Sequence, residues 1–406
     1  MNFRVKDFFK TQTTPTDSWG KGRRTFGSVS SVDFSLLGTI VALLVIGAVM
    51  VYSASISLAD SPKYQTSEYF FVSRQLVYIV IGLVAGFCVF KVPINNWDRI
   101  SYPMALVGLL CLILVFMPGL GKSVNGATRW IGFGPINIQV SEIVKFVSIL
   151  VIARFTVDRQ VYMHSFTRGF LPVLAYVVCV AALLAVQPDL GATVVIASIV
   201  IGIVFLGGLS WKIIITLGLI LVITIVLSVV LSPWRTARVF AYLNPWDPEN
   251  QIGKAYQLTH SLIAFGRGEI FGVGLGASVE KMHYLPEAHT DFILAVIGEE
   301  CGLVGFSVVL GLFYWLVRRA FEIGRQAVRL DMTYAGLVAQ GVGVWIGVQA
   351  LINIGVAIGV FPTKGLTLPL VSYGGSSLVI TMCALALLIR VDYENRLLMR
   401  GKRRRE

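Results

Sequence analysis

Ten long apolar runs constrain this chain more than any other feature of it. They lie at 34–53, 72–90, 101–117, 140–157, 170–188, 190–209, 212–232, 292–316, 334–361 and 366–389. Each approaches the roughly 20 apolar residues that an α-helix needs to cross a bilayer. The runs are continuous and lack a period of two, so they read as helices rather than barrel strands. Composition agrees: 56% of the 406 residues are hydrophobic and 14% charged, against about 25% charged in soluble domains. One water-soluble core cannot hide that much apolar surface. A soluble enzyme, a disordered chain and a nucleic-acid-binding domain are therefore excluded. The net charge of +12 is read against a membrane, where basic residues mark the cytoplasmic side.

The expected fold is an all-α polytopic membrane protein with ten transmembrane helices and both termini inside. On that topology 23 of the 34 Lys and Arg residues fall in inside segments and 10 outside, with Lys145 within a span. Residues 1–33 form a basic cytoplasmic tail, 34–390 the ten-helix membrane domain, and 391–406 a second basic tail. The run at 34–53 lacks a small-residue cleavage site after it and reads as a retained first span. One long extracytoplasmic loop, 233–291, joins helices 7 and 8. In it Ala255, Leu258, Leu262 and Phe265 recur at helical spacing, which predicts an interfacial helix. Gly266, Gly268, Gly272, Gly274 and Gly276 follow and permit tight turns. Gly343/Gly347 and Gly355/Gly359 have the GxxxG spacing of close helix packing, inside the chain or against a partner's helix. The five cysteines lie in or beside apolar runs, form no CxxC pair and read as packing residues.

Ionisable groups at bilayer depth are costly, so each is a functional candidate. Glu142 and Lys145, three residues apart on one helix face, can pair. Asp189 stands in Gln187-Pro-Asp-Leu-Gly191, and Asp291 closes the long loop in Leu285-Pro-Glu-Ala-His-Thr-Asp-Phe-Ile293. Glu299 and Glu300 lie two turns deeper. The segment from Lys364 to Ser377 opens the tenth span, and Arg129 precedes the fourth. On the expected topology most of these groups sit at the outer ends of their helices, at one depth. A conduit would instead spread polar groups through the membrane. Structural roles compete for each: Glu142/Lys145 as a stitch between helices, Asp189 and Asp291 as helix caps, Tyr373–Ser377 as a flexible helix entrance, and Arg129 snorkelling to headgroups. The four scattered histidines make no metal constellation.

Asn125-Gly-Ala-Thr-Arg-Trp-Ile131, Gln139–Lys145, Gln187–Gly191, Leu285–Ile293 and Pro369–Ser377 together resemble the SEDS family of membrane glycosyltransferases, over nearly the whole length. Pro286-Glu-Ala-His-Thr-Asp and Pro362-Thr-Lys-Gly-Leu-Thr-Leu-Pro are similar to the cell-division type (FtsW) rather than the elongation type (RodA). Val140 departs from the family, which often has proline there; this bears on how the fourth helix starts. The resemblance implies ten spans and polymerisation of lipid II into peptidoglycan strands at the outer face of the bacterial inner membrane, with release of undecaprenyl pyrophosphate. It implies a class B penicillin-binding protein, the division transpeptidase, as partner. It also implies a place at the septum among other divisome membrane proteins. Asp291 matches the family's essential aspartate, and Arg129, Glu142, Lys145 and Asp189 match its cavity residues. Lys364, Ser372, Ser376 and Ser377 join them as substrate-binding candidates.

The chemistry suits such groups. An anomeric carbon moves from pyrophosphate to a sugar hydroxyl. A carboxylate such as Asp291 can accept the hydroxyl proton, and Arg129 and Lys145 can offset phosphate charge. A divalent cation could share that work, although the sequence holds no dedicated cation site. Two other readings use the same features: a flippase for lipid II, against which the outer placement of charge argues, and a divisome scaffold. Membrane lipids are the remaining expected partners, and no nucleic acid is expected.

Overall fold

The first helix begins where Asp33 caps it: Oδ1 accepts from the amides of Ser35 and Leu36 at 3.1 and 3.2 Å. Helix α1 (Phe34–Ser55) runs into a 3-10 turn, Ile56–Asp60, and is followed by α2 (Phe70–Lys91) and α3 (Ile94–Leu114). Then come α4 (Val140–Asp158), α5 (Leu171–Val186), α6 (Leu190–Leu206) and α7 (Trp211–Val230). The long loop carries α8 (Pro233–Leu243), α9 (Pro248–Ile252) and α10 (Tyr256–Gly268), before α11 (Ile293–Arg329), α12 (Thr333–Ala357) and α13 (Ser376–Met399). This computed structural model describes residues 32–60, 67–117, 119–124, 127–133, 136–163, 165–209, 211–363 and 365–401. The expected basic tail up to residue 31, Lys364 and the end of the second tail lie outside the described residues.

Among the described residues six helices are long and apolar enough to cross a membrane: α1, α2, α3, α11, α12 and α13. The four remaining apolar runs coincide with α4 to α7, which are shorter or, in α4, more charged. The exterior is apolar, as a lipid-facing surface must be: Val80, Val84 and Phe87 of α2 and Leu219, Val222 and Val226 of α7 are exposed. Inside, α12 is buried nearly all round, with Trp345 fully enclosed. It packs on α11, while α13 packs on α2 and α4 on α6. The glycines of α12 serve this internal packing. A Cβ on Gly343 would meet Ala320 at 3.0 Å, and one on Gly347 would meet Val317 at 3.2 Å, so both face α11.

The all-α expectation needs one correction. Residues between α3 and α4 form a three-stranded antiparallel sheet: β1 (Gly121–Val124), β2 (Ala127–Phe133) and β3 (Ile136–Gln139), in that order. Lys122 pairs with Trp130, and Trp130 with Gln139. The sequence signal was Asn125-Gly126 between β1 and β2, a favoured hairpin pair, flanked by strand-forming Val, Ile and Trp. Boundaries also shift. Helix α3 starts at Ile94, after Pro93, and not at 101. Helix α13 starts at Ser376, because Pro369 and the positive φ of Gly375 (46°) keep residues 365–375 non-helical.

Helix α11 is broken at Gly302 (φ 64°, ψ −161°). The segment Glu269–Gly274 fills the break. The amides of Val273 and Gly274 donate to the carbonyls of Glu299 and Glu300 at 3.0 and 3.1 Å, and the amides of Leu303 and Val304 donate to those of Glu269 and Ile270 at 2.9 and 3.1 Å. The hydrogen bonds lost within the helix are thus replaced from the loop. A Cβ at 302 would come 2.4 Å from the amide nitrogen of Gly272, which is why glycine stands there. The predicted interfacial helix is α10, which buries Leu258 and Ala264 against the body of the protein.

Candidate active site

Asp291 occupies the last turn before α11. The turn is set by Glu287 (φ 56°), whose carbonyl accepts from the amides of Thr290 and Phe292 at 3.2 and 3.3 Å. Neither Thr290 nor Asp291 caps the helix with its side chain; the capping position is Phe292. The backbone of Asp291 is held instead, because Asn353 Nδ2 donates to its carbonyl at 2.9 Å and to that of Leu366 at 2.6 Å. The carboxylate accepts no hydrogen bond among the described residues, and the residue as a whole is half-buried. Glycine at 365 leaves it room: a Cβ there would stand 3.2 Å from Oδ2. Burial lifts its pKa to about 7; Glu287 adds to the rise and Arg129 opposes it. His289 lies between Phe71 and Tyr373, at ring distances of 4.7 and 5.8 Å, and burial pushes its pKa down, so it forms a neutral aromatic wall.

Glu142 and Lys145 are paired and enclosed, at 4% and 0% exposure. Lys145 Nζ donates to Glu142 Oε1 at 2.8 Å and lies 2.7 Å from Oε2, which is off hydrogen-bond geometry. The same ammonium donates to Gln349 Oε1 at 2.7 Å and stands 5.2 Å from the Trp345 ring centre. Gln349 Nε2 then donates to the carbonyl of Thr367 at 2.9 Å. The pair therefore ties α4 to α12 and, through Gln349, to the segment beside Asp291.

A second strand of contacts joins the sheet to α6 and α13. Asp189 caps α6, with Oδ1 accepting from the Ala192 amide at 3.1 Å, as its position after proline suggested. Its other oxygen accepts from Ser141 Oγ at 3.1 Å and Gln139 Nε2 at 3.4 Å. Arg129, on β2, does not snorkel outward: Nε and Nη2 donate to the carbonyls of Gln187 and Pro188 at 3.0 and 2.5 Å, clamping the α5–α6 turn. Ser376 Oγ accepts from the Gln139 amide at 3.0 Å. Ser377 Oγ meets Thr367 Oγ1 at 3.3 Å, and Ser372 Oγ accepts from the Leu368 amide at 2.9 Å. All three serines are buried and fasten the loop before α13. Lys364 lies outside the described residues.

A third cluster lies beneath the long loop, where sequence reasoning named Glu299 and Glu300 but missed their partners. Lys281 Nζ donates to Glu300 Oε1 at 2.7 Å, Ser53 Oγ at 2.9 Å and the Gly276 carbonyl at 2.7 Å. Ser53 Oγ also donates to Glu300, at 2.7 Å to Oε1. Glu299 accepts from the Val279 and Glu280 amides at 3.0 and 3.3 Å and from Ser278. The available signal was a pair of adjacent acids inside an apolar run, with a lysine 19 residues before the second. Gln349 and Asn353, polar residues four apart in α12, were a second such signal. Among the described residues no three His, Cys, Asp or Glu side chains converge as metal ligands would.

Residues 34–397 match the family model for FtsW, RodA and SpoVE, described as cell cycle protein. A probable peptidoglycan glycosyltransferase FtsW of Burkholderia thailandensis is 56% identical over 380 residues, 93% of this chain and 82% of that protein. One of Polynucleobacter necessarius is 53% identical over 373 residues, 91% of this chain and 88% of that one. Among solved structures, a chain of a peptidoglycan synthase complex is similar with a TM-score of 0.71 at 27% identity, over 90% of this chain and 98% of its own length. The rod shape determining protein RodA of Thermus thermophilus is similar with a TM-score of 0.66 at 26% identity, over 91% and 99%.

Proposed function

The chain belongs to the FtsW/RodA/SpoVE family, and on that footing we propose how its outer-end cluster polymerises lipid II. The protein is a multi-pass membrane peptidoglycan glycosyltransferase of cell division. Ten spans with both termini inside is the topology we propose; the excess of Lys and Arg in the segments it places inside supports it. The inner membrane at the septum is the proposed location. A class B penicillin-binding protein is the proposed partner, supported by the likeness to a chain of a peptidoglycan synthase complex.

Asp291 is the proposed general base. The acceptor sugar's hydroxyl gives its proton to this carboxylate while its oxygen bonds to the anomeric carbon of the donor. The bond from that carbon to pyrophosphate breaks, and undecaprenyl pyrophosphate leaves with the electron pair. The observation that carries this reading is an acid left without a hydrogen bond among the described residues, half-buried, at the outer end of its helix. A pKa of about 7 suits it, since a base works best near the ambient pH. Arg129 and Lys364 are the proposed cationic partners of the leaving pyrophosphate. Glu142, Lys145 and Asp189, with Ser372, Ser376 and Ser377, act by holding the walls of the site in place.

Lipid II polymerisation by Asp291→Asn tests the assignment. Asparagine keeps the shape but cannot take the proton, so polymer should fall by roughly a hundredfold or more, with thermal stability at or slightly above the parent's and partner pull-down unchanged. Near-parental polymerisation would sink it. Lipid II movement across vesicles without polymer in the parent would favour a flippase.

A further inference from the structure

We propose that the inner ends of α11 and α12 form a binding site for an anionic phospholipid of the inner leaflet. Beyond the break at Gly302, α11 continues unbroken to Arg329 and spans about 40 Å at 1.5 Å per residue, against about 30 Å of hydrocarbon. Its start lies under the outer loop, so its last turns project past the opposite face. Tyr314 and Trp315, 66% and 40% exposed, mark the interface on that side. Arg318 follows one turn later, its guanidinium 5.3 Å from the Trp315 ring centre, and Arg325 follows two turns beyond that.

A groove of about 430 Å³ opens here between α6, α11 and α12. Leu206, Val317 and Phe321 give it an apolar floor, and Arg318 and Arg325 give it a cationic rim. Gln340 of α12 also lines it, and this side chain is 4% exposed with no hydrogen bond to its amide among the described residues. The amide itself is not enclosed and opens to the groove, so a ligand oxygen at the groove's polar end can accept from it. The rim carries excess charge. Glu322 pairs with Arg318 at 2.9 Å and with Arg319 at 2.8 Å, Arg319 also pairs with Asp33, and Arg325 has no ion pair among the described residues. An apolar trough that ends in the unpaired Arg325, in Arg318 with a carboxylate it shares with Arg319, and in an open amide fits an acyl chain with a phosphodiester headgroup. A soluble anion would leave the floor unused, and a zwitterionic headgroup would leave the rim uncompensated. Basic pockets between spans on the cytoplasmic side are where anionic headgroups bind.

The inner-leaflet placement rests on the orientation proposed above. Nanodiscs present lipid at both faces, so binding in them reads the site whatever that orientation is. The full chain would be assembled in phosphatidylcholine nanodiscs with 20 mol% phosphatidylglycerol, and retained lipid counted by native mass spectrometry after extraction. The parent should retain phosphatidylglycerol over phosphatidylcholine. Arg318→Gln/Arg325→Gln should weaken that retention roughly twenty-fivefold, at about fivefold per lost guanidinium. Gln340→Leu should weaken it less, with thermal stability in pure phosphatidylcholine unchanged in both variants. Equal retention by parent and double variant would overturn the site. So would loss of partner co-purification in the double variant with phosphatidylglycerol retention intact, which would assign the groove to a partner's helix.

Discussion

Two acidic regions lie within ten residues of each other on α11 and the turn before it, and they are built in opposite ways. Around Glu299 and Glu300 every charge is answered: Lys281, Ser53, Ser278 and two backbone amides surround the carboxylates. At Asp291, among the described residues, only the backbone is answered, by Asn353, and the residue is half-buried. The first arrangement fixes the loop to the break at Gly302. The second leaves a base unsatisfied on a support that cannot move away. A saturated cluster contributes position, whereas the proposed base accepts no hydrogen bond among the described residues.

The largest effect should come from breaking the saturated side. Lys281 and Glu300 are 2% and 1% exposed, and removing one partner of such a buried pair costs about 3–5 kcal/mol. Lys281→Met should therefore unfold the protein at markedly lower temperature and release the loop to proteolysis. Lys281→Met/Glu300→Gln should recover most of that loss, because no uncompensated charge remains. A single variant as stable as the parent would remove the contrast between the two regions.

The unsatisfied side should answer to pH instead. The Asp291 pKa is raised, to about 7, so its base form is scarce at pH 6 and prevalent at pH 8. Polymerisation should climb through a half-point near pH 7, by about tenfold per unit below it. The same shift has a stability sign. A carboxyl held protonated in the folded state is destabilising once pH exceeds its unfolded value, increasingly so up to its folded value. Asp291→Asn should thus be slightly more stable than the parent at pH 8. Glu287 contributes to the rise, so Glu287→Gln should move the half-point downward. A flat profile between pH 6 and 8 would separate Asp291 from the proton transfer.

Much of the fold was legible because helix formation is local. The apolar runs sit on helices, the spacing from Ala255 to Phe265 gave α10, and the i,i+3 pairing of Glu142 with Lys145 follows from helix geometry alone. What escaped was set by distant partners. Ser53 and Glu300 are 247 residues apart, and Lys145 and Gln349 are 204 apart. No local pattern announces either. The break at Gly302 was likewise one glycine among 40, distinguished only by the loop that fills it. Asp291 itself is apparent as an acid at a helix mouth; that it is not a cap depends on Phe292 taking that position.

Asp189 offers the smallest and sharpest comparison, since it is an acid at a helix mouth that is satisfied. Oδ1 caps α6 through the Ala192 amide, and Oδ2 takes the Ser141 hydroxyl. In Asp189→Asn the carbonyl oxygen can keep the cap, for Asn and Asp are comparable there. The new amide can donate to Ser141 once the hydroxyl turns. Only the 3.4 Å contact from Gln139 Nε2 becomes donor against donor. The variant should lose under about 1 kcal/mol and keep polymerisation within a few fold. Asp189→Ala, which loses the cap, should cost about 1 kcal/mol and serves as the stability reference. Should Asp189→Asn lose activity as deeply as Asp291→Asn at parental stability, Asp189 would also act on the proton, and hydrogen-bond saturation would no longer separate supporting acids from reacting ones.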